Sequence, residues 1–528
     1  MFLLLGPANK HSSAIYTNNM IRNYLDILAE TIRSNWDQPA LTDFYLMEDG
    51  SGQDTSRGKV YTYGEMYTEI VRIADLLTRL GLQKGDHIAI CGTNSAHWAI
   101  AYLAIAKMQG VSVTVMHSLQ PDEIARLIDF SDAKALFVDR ELWLELKDQS
   151  LPQVERVIAL DNWDVLRGEN ISLPCREESE VGFPSIAPDS LAMICFTSGT
   201  TGTPKGVMLT NNNISANIRF LLGEFLECPM RHTISFLPMA HAGVFVSDII
   251  HILCRGANIF ILPKMSPEKL FVCYNIIKPQ EVVMVPTLLS QLLLSYGSSD
   301  DADLKCKINH TFGGELEMFC LGGAKVSLDL EKTLTKAGIK YAIGYGTTEC
   351  APFISLEMPS YIRLGTVGKV AYTLQACIAP NGEILVKGEN VMLGYYKDPE
   401  ATAAKIDKEG WLHTGDKGHL DEDGYLYVEG RLEQDIIVLP NGENIRPDNI
   451  ERLIDALPEV KESIVIARDG KLVAIVVSDQ QSVTSLRREI LRTINPQLPL
   501  FSQLYDVEIT DQPLARTEKQ TIKRYLYK

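Results

Sequence analysis

Near the start of the chain, a nearly all-apolar helix lies between two short strands. The pattern predicts this helix over residues 97–108, capped by Ser95, with one strand over 87–91 and the next over 111–115. A helix without a polar face has to be covered on every side, and a strand–helix–strand unit of about 30 residues joins parallel strands. The segment therefore predicts a parallel sheet with helices on both of its faces.

The same alternation of strands and helices continues toward the middle of the chain. Thr62 and Glu65 form a capping-box pattern, and the apolar residues that follow at steps of three and four predict a helix that ends at Gly81. The further elements that the pattern predicts are a helix over 122–130 and strands over 135–139, 192–196, 233–237, 258–262, 281–285, 318–321 and 341–344.

The periodicity changes twice in the last third of the chain. Turn signals between short strands predict a small β-barrel-like subdomain over 361–431, and residues 445–494 alternate between helix and strand patterns. A chain of 528 residues is also too long for one ordinary core. We therefore expect an α/β fold, with a large N-terminal domain over 1–431 built of stacked αβ subdomains plus the β subdomain, and a small mobile α+β C-terminal domain over 432–528.

Composition restricts the partners of the chain. A formal net charge of -17 disfavours nucleic acid and anionic membranes as general partners, because both require a basic surface. The ten cysteines are scattered singly, which predicts reduced thiols and a cytoplasmic protein. The first ten residues lack the basic start of a signal peptide, and the most apolar window, 98–116, is interrupted by Lys107 and Gly110. We expect no membrane-spanning segment, while peripheral membrane contact and the oligomeric state stay open.

One segment rich in threonine and glycine predicts an anion-binding loop. It runs from Thr197 to Gly206, follows an apolar strand, and is expected to precede a helix. Its glycines allow a tight turn in which backbone amides converge, its hydroxyls add donors, and Lys205 adds positive charge. A flexible linker is the competing interpretation, although linkers seldom join a buried strand to a helix. The segment is not a Walker A loop, because glycine rather than serine or threonine follows the lysine.

This segment closely resembles the phosphate-binding signature of the adenylate-forming superfamily, which contains acyl-CoA synthetases, luciferases and peptide-synthetase adenylation domains. The resemblance extends from about residue 60 to the C-terminus. Each further motif is weak alone, but together they follow the order of the family. These motifs are Leu237-Pro-Met-Ala-His241, Val285-Pro-Thr287, Gly322-Gly-Ala324, Gly344-Tyr-Gly-Thr-Thr-Glu349, Gly410-Trp-Leu-His-Thr-Gly-Asp416, Gly424-Tyr-Leu-Tyr427 with Gly430-Arg431, and Asn441-Gly-Glu-Asn444 leading to Glu451.

The resemblance implies roles for individual residues. Thr197 and Glu349 would hold Mg²⁺, Tyr345 would stack on adenine, and Asp416 would accept hydrogen bonds from the ribose hydroxyls. The implied nucleotide-binding set is Thr197, Ser198, Gly199, Thr200, Thr201, Gly202, Lys205, Gly322, Gly323, Ala324, Gly344, Tyr345, Gly346, Thr347, Thr348, Glu349, Asp416 and Arg431. The implied catalytic set is Thr197, Lys205, His241, Glu349 and Lys519.

Structural explanations compete with three of these assignments. Glu349 would otherwise be an exposed loop acid, Tyr345 an ordinary core tyrosine, and His241 a core histidine with satisfied hydrogen bonds. The resemblance implies that His241 lines the path of the acyl carboxylate and that Arg431 contacts the ribose or the phosphates.

The C-terminal segment departs from the family pattern. Relatives carry a lysine in a pattern such as T-x-x-G-K-I-x-R, and matching Thr517 and Arg524 to it places Thr521 at the position of that lysine. Lys519 lies two positions earlier, which in an extended segment is roughly 6–7 Å away on the same face. Either Lys519 takes over that role, or adenylation is impaired. The family rotates its small domain about a residue that follows the arginine, so Glu433 or Asp435 is the expected hinge.

The sequence therefore predicts an ATP-dependent acid–thiol ligase with ATP, Mg²⁺ and CoA as cofactors. It would convert a carboxylic acid to an acyl-AMP, with a medium- or long-chain fatty acid as the expected substrate, and then transfer the acyl group to CoA. Three alternatives stay open: another acid, a carrier-protein thiol as acceptor, or a catalytically impaired protein that binds ATP or acyl groups. A P-loop NTPase is disfavoured by the missing Walker A motif.

Overall fold

The computed structural model describes residues 22–47, 52–54, 58–169, 171–175, 180–197, 204–226, 230–263, 266–297, 300–432, 437–440, 443–478, 483–515 and 524–527. The chain divides into two compact units, the first running up to Gly430 and the second beginning at Arg431. Residues 118–120 and 204 are grouped with the second unit. The functional domains 1–431 and 432–528, and the hinge between them, stay predictions.

The first unit contains an eight-stranded sheet with a parallel centre, counted over the described residues. Its strands, in spatial order, are Gly394–Tyr395, Lys205–Thr210, Leu191–Thr197, Val111–Thr114, His87–Cys91, Ala135–Val138, Arg156–Ala159 and Val165–Arg167. The five strands from Leu191–Thr197 to Arg156–Ala159 pair in parallel, whereas the outer strands are antiparallel. The helices nearby in sequence are Tyr63–Arg79, Ala96–Lys107, Pro121–Phe130 and Arg140–Leu146.

The helix from Ala96 to Lys107 explains the parallel centre of this sheet. Ser95 caps it by accepting a hydrogen bond from the backbone N–H of Trp98, and nine of its twelve residues are buried. The capping box of Thr62 and Glu65 is present at the start of Tyr63–Arg79. Both sequence predictions are confirmed, because local capping and an unbroken apolar surface leave few other ways to bury these segments.

A second sheet of the first unit has nine strands in the described part of the chain. In spatial order they are Lys369–Val370, Phe353–Glu357, Tyr341–Gly346, Met318–Leu321, Glu281–Met284, His232–Ser235, Asn258–Ile261, Pro39–Asp43 and Val60–Thr62. The remaining helices in this part of the chain are Tyr24–Ser34, Asn211–Glu224, Ala242–Val244, His251–Cys254, Pro267–Ile277, Pro286–Ser295, Asp301–Thr311 and Leu328–Lys336, with the π-helix Phe245–Ile250 and the 3₁₀-helix Thr348–Cys350.

The predicted β subdomain is a four-stranded sheet with the short helix Pro399–Lys405 beside it. Its strands are Leu374–Ile378, Glu383–Gly388, Leu412–Leu420 and Leu426–Arg431. The second unit has its own apolar core. It contains the strands Ile437–Val438, Asn444–Ile445, Glu462–Arg468, Lys471–Val477 and Leu504–Thr510, the helices Pro447–Asp455 and Val483–Ile494, and the short 3₁₀ turns Asn495–Gln497, Leu500–Ser502 and Arg524–Leu526. Among the described helices, none is long and apolar enough to cross a membrane.

Candidate active site

The ends of the Thr/Gly-rich segment lie on two paired strands. Thr197 is the last residue of Leu191–Thr197, and it pairs in antiparallel register with Lys205, the first residue of Lys205–Thr210. The prediction that a helix follows the segment directly is wrong, because the next helix begins only at Asn211, where Thr210 and Asn213 form a capping box. The segment therefore connects two antiparallel strands. Its residues Ser198, Gly199, Thr200, Thr201 and Gly202 lie outside the described residues.

Lys205 and Glu349 are brought together through Tyr395. The short strand Gly394–Tyr395 pairs with Lys205–Thr210, and the Lys205 Nζ lies 4.9 Å from the centroid of the Tyr395 ring. The Tyr395 hydroxyl donates a hydrogen bond of 2.7 Å to Glu349 Oε1. The lysine of the Thr/Gly-rich segment and the predicted metal-binding carboxylate thus contact the same side chain.

Glu349 is buried in the first unit and stays ionised. Thr347 Oγ1 donates to its Oε2, and Tyr395 donates to its Oε1. Burial raises the pKa of Glu349, but the positive charge of Lys405 and the two hydroxyl donors outweigh this effect and hold the pKa below its ordinary value. The interpretation as an exposed loop acid is wrong, because only 8% of Glu349 is accessible to solvent.

Tyr345 and Asp416 form a second polar pair. Tyr345 lies on the strand Tyr341–Gly346 and donates a hydrogen bond of 2.7 Å to Asp416 Oδ2. The backbone N–H of Asp416 donates to Thr414 Oγ1 at 3.0 Å, which fixes the carboxylate on its strand. Burial and the charge of Asp416 raise the pKa of Tyr345 well above its ordinary value, so its hydroxyl stays a donor.

The glycines of this region meet steric requirements of the fold. A Cβ on Gly346 would lie 1.9 Å from the Pro352 carbonyl oxygen, and a Cβ on Gly344 would lie 2.7 Å from the Phe353 ring. Gly323 has a φ of +76°, in the left-handed region that favours glycine. Gly322 follows the strand Met318–Leu321 and faces the Gly344 carbonyl, and Ala324 is half-buried. These packing reasons stand beside the predicted approach to adenine, which stays a prediction.

Thr347 and Thr348 shape the backbone that carries Glu349. The Thr347 N–H donates to the Pro352 carbonyl at 2.9 Å, and Thr348 opens the 3₁₀-helix Thr348–Cys350. From the neighbouring helix Asn211–Glu224, the buried Asn217 donates to the Cys350 carbonyl at 3.0 Å and accepts from the Phe353 N–H at 2.9 Å. The segment around Glu349 is thus held on both sides.

His241 lies on a segment that two other residues hold in place. Asn94 donates to the Leu237 carbonyl at 2.7 Å and accepts from the Met239 N–H at 3.0 Å, and Thr114 donates to the Ala240 carbonyl at 2.9 Å. His241 immediately precedes the helix Ala242–Val244. Two residues later, a Cβ on Gly243 would lie 3.6 Å from Pro352 Cγ. The His241 segment therefore lies beside the segment that follows Glu349.

The functional roles of the predicted site residues stay predictions, and for two of them the structure adds little. Arg431 is exposed at the end of the strand Leu426–Arg431 and is grouped with the second unit. Lys519 lies outside the described residues, as do Thr521 and the hinge candidates Glu433 and Asp435. Their roles stay predictions.

Sequence reasoning did not identify Tyr395, Lys405, Asn94 or Asn217. Tyr395 follows Glu349 by 46 residues, and the two are brought together by the pairing of Gly394–Tyr395 with Lys205–Thr210 and by a hydrogen bond of 2.8 Å from the Met392 N–H to the Glu349 carbonyl. No local periodicity signals such a contact. A partial signal was available for Asn217, because three of the residues 211–217 are further asparagines, an unusual density for one helix.

Two family models match this chain. Residues 28–396 match the model of the AMP-binding enzymes, and residues 434–527 match the AMP-binding enzyme C-terminal domain. 4-Coumarate–CoA ligase 4 of Arabidopsis thaliana is 27% identical over 493 residues, covering 84% of this chain and 83% of the relative. Long-chain-fatty-acid–CoA ligase 1 of Homo sapiens is 28% identical over 491 residues, covering 79% and 70%.

A solved structure agrees in fold. The amide bond synthetase McbA from Marinactinospora thermotolerans superposes with a TM-score of 0.77 at 23% identity, over 96% of this chain and 99% of that one. The predicted fold class is confirmed: a large α/β N-terminal part followed by a smaller C-terminal domain.

The chain belongs to the AMP-binding enzymes, the adenylate-forming superfamily that the sequence motifs predicted. Within that superfamily it is an AMP-forming acid–thiol ligase, the class in which its curated relatives are named as CoA ligases.

Proposed function

We propose that the protein activates a medium- or long-chain fatty acid with ATP and transfers the acyl group to CoA. The acid's carboxylate attacks the α-phosphate of ATP, pyrophosphate leaves, and an acyl-AMP forms. The thiol of CoA then attacks the acyl carbon, and AMP leaves. The observation that carries this proposal is the contact of Lys205 and the ionised Glu349 with one side chain, Tyr395.

Two anions have to meet in the first step, so charge decides which residues matter. At about 4 Å and an effective dielectric near 20, two unit charges repel by roughly 4 kcal/mol. Lys205 and the backbone amides of the Thr/Gly-rich segment would offset this repulsion and hold the phosphates. Tyr345 and Asp416 would hold the adenosine, because an ionised carboxylate accepts hydrogen bonds from both hydroxyls of a ribose.

The residues present fit a magnesium ion. Mg²⁺ prefers oxygen ligands and is commonly held by one or two carboxylates together with substrate phosphates. Glu349 offers a carboxylate that is kept ionised inside the protein, and Thr197 would add a hydroxyl at the end of its strand. When bound, the metal would neutralise phosphate charge. In the described residues no group of three or more His, Cys, Asp or Glu side chains could hold a metal by itself, so the phosphates would complete the ligand set.

We favour a fatty acid as the substrate because three segments that the resemblance assigns to the acyl pocket are mostly apolar. These segments are 213–227, 241–248 and 350–355. His241 would line the path of the carboxylate to the phosphate. An aryl acid is the alternative substrate, and a carrier-protein thiol is the alternative acceptor. A pyrophosphate-release screen over aliphatic acids of increasing length and aryl acids, with and without CoA, tests the proposal. Pyrophosphate release with none of these acids would refute it.

The C-terminal departure from the family supplies a second test. We expect ATP–pyrophosphate exchange with a fatty acid to be measurable but slow, because a missing transition-state cation typically costs about 10²–10³-fold. Thr521→Lys should accelerate the exchange, because it restores the lysine at the position that the family pattern assigns to it, whereas Gln520→Lys, one position earlier, should not. Exchange that Thr521→Lys leaves unchanged would contradict the assigned register.

A further inference from the structure

The short helix Pro399–Lys405 is attached at two points to strands that carry site residues. Near its middle, Thr402 Oγ1 accepts a hydrogen bond of 2.8 Å from the backbone N–H of Tyr395. At its last residue, Lys405 Nζ donates a hydrogen bond of 3.1 Å to the carbonyl oxygen of Thr414. The helix therefore connects the strand Gly394–Tyr395 with the strand Leu412–Leu420.

Each residue to which the helix is attached is itself hydrogen-bonded to one of the two acidic residues of the site. Tyr395 donates to Glu349 at 2.7 Å, and Thr414 Oγ1 accepts from the Asp416 N–H at 3.0 Å. Glu349 and Asp416 are only 8% and 7% exposed, so a cationic side chain that interacts with these carboxylates has to extend into the protein interior. Lys405 does so with a half-buried side chain, and its ammonium group is held at the backbone rather than in solvent.

We propose that Lys405 is a positioning residue of the nucleotide site, whose fixed positive charge holds the Thr414–Asp416 segment against the Glu349 segment and favours binding of an anionic nucleotide. This inference rests on the proposed function, because it concerns the same site. A lysine at the end of a helix has a simpler explanation, which is its favourable interaction with the helix dipole. The two explanations differ in how binding responds to magnesium.

The test compares ATP binding with and without magnesium. The dissociation constant of ATP is measured by isothermal titration calorimetry on the full chain, in EDTA and at saturating Mg²⁺. The variants are Lys405→Met, which removes the charge and the hydrogen bond, Lys405→Gln, which keeps a donor without charge, and Lys405→Arg, which keeps the charge. Lys408→Met is the control, because Lys408 is exposed three residues further on.

A fixed cation in the site matters most when Mg²⁺ does not neutralise the phosphates. Lys405→Met should raise the dissociation constant about tenfold in EDTA and about threefold in Mg²⁺. Lys405→Gln should show the same inequality, Lys405→Arg should stay within about twofold of the unmodified protein, and Lys408→Met should change neither value. If Lys405→Met does not fold, Lys405→Gln provides the comparison.

Three outcomes would overturn the inference. Unchanged binding in Lys405→Met and Lys405→Gln excludes a role for the charge. Equal weakening in EDTA and in Mg²⁺, without restoration by Lys405→Arg, assigns Lys405 to support of the helix alone. Failure of the unmodified protein to bind ATP under either condition would overturn the proposed function and this inference together, and it is recognised without any variant.

Discussion

Glu349 and Glu357 lie on consecutive elements of the first unit, and both are buried, yet their surroundings differ. Glu349 accepts from two hydroxyl groups and lies near Lys405, which together hold its pKa below 4.5 despite burial. Burial raises the pKa of Glu357 to about 7, and the negative charge of Glu331 adds to this increase. Its Oε1 accepts from the Arg363 N–H and from Thr366 Oγ1.

The comparison shows that burial alone does not decide the ionisation of a carboxyl group in this protein. At Glu349 a nearby cation and two hydroxyl donors outweigh burial and keep the carboxyl group ionised, whereas at Glu357 burial favours the neutral form and a nearby anion adds to that effect. Glu357 Oε2 is buried and accepts or donates no hydrogen bond within the described part of the chain. Glu357 and Glu331, which accepts from the Gly365 N–H at 3.0 Å, anchor the loop between Phe353–Glu357 and Lys369–Val370.

The largest expected difference between the two carboxylates is catalytic. Glu349→Gln should lower the rate of ATP–pyrophosphate exchange by about 10²–10³-fold, because it removes the charge that would hold the metal and orient the phosphates. Glu357→Gln is the matched control, since it makes the same chemical change at another buried position, and its exchange rate should stay within about twofold of the unmodified protein. Comparable losses in both variants would mean that the change acts through the fold rather than through the site.

The second prediction concerns stability and pH. The pKa of Glu357 is about 7 in the folded state, compared with 4.5 as its ordinary value, so the folded state holds this proton more tightly. Its contribution to stability is complete below pH 4.5 and is lost as pH rises toward about 7, amounting to about 3 kcal/mol over that range. Glu357→Gln removes this titration. Its melting temperature should therefore rise relative to that of the unmodified protein between pH 5 and pH 8.

Glu349 is an internal check, because its pKa is shifted in the opposite direction to that of Glu357. Because its folded pKa lies below the ordinary value, its contribution is present above pH 4.5 and is lost only as pH falls below that value. Glu349→Gln should therefore leave the slope of melting temperature between pH 5 and pH 8 unchanged. A melting temperature of Glu357→Gln that follows the unmodified protein in parallel over this range would contradict the raised pKa.

The sequence predicted the αβ elements well because their signals are local. The capping box at Thr62, the cap at Ser95 and the apolar run of Ala96–Lys107 each determine structure within a few residues. The wrong prediction of a helix directly after the Thr/Gly-rich segment arose because the structure there depends on pairing with distant strands, which local signals do not reveal. Residues 205–210 form a strand because they pair with Leu191–Thr197 and Gly394–Tyr395, and the second partner lies almost 200 residues away in the chain.

For the candidate site, the sequence motifs predicted individual residues but not the contacts between them. The family motifs predict Glu349, Tyr345 and Asp416 as site residues, but they give no indication that Tyr345 donates to Asp416. The ionisation states of Glu349 and Glu357 could not be predicted at all. They depend first on how deeply the folded chain buries each carboxyl group, and then on Lys405 and Glu331, which are remote in sequence and approach Glu349 and Glu357 only in the folded chain.

The smallest expected effect tests whether Glu331 contributes to the raised pKa of Glu357. Glu331→Gln keeps a carbonyl oxygen for the Gly365 N–H but removes the negative charge, so the pKa of Glu357 should fall toward 4.5. The pH range over which melting temperature declines should then end at a lower pH, with a smaller total decline. In the Glu357→Gln background the same change should have a smaller effect on this range, because only the titration of Glu331 itself, whose pKa burial also raises, is then removed. An equal effect of Glu331→Gln in both backgrounds would show that the two carboxyl groups are not coupled, and burial alone would then account for the raised pKa of Glu357.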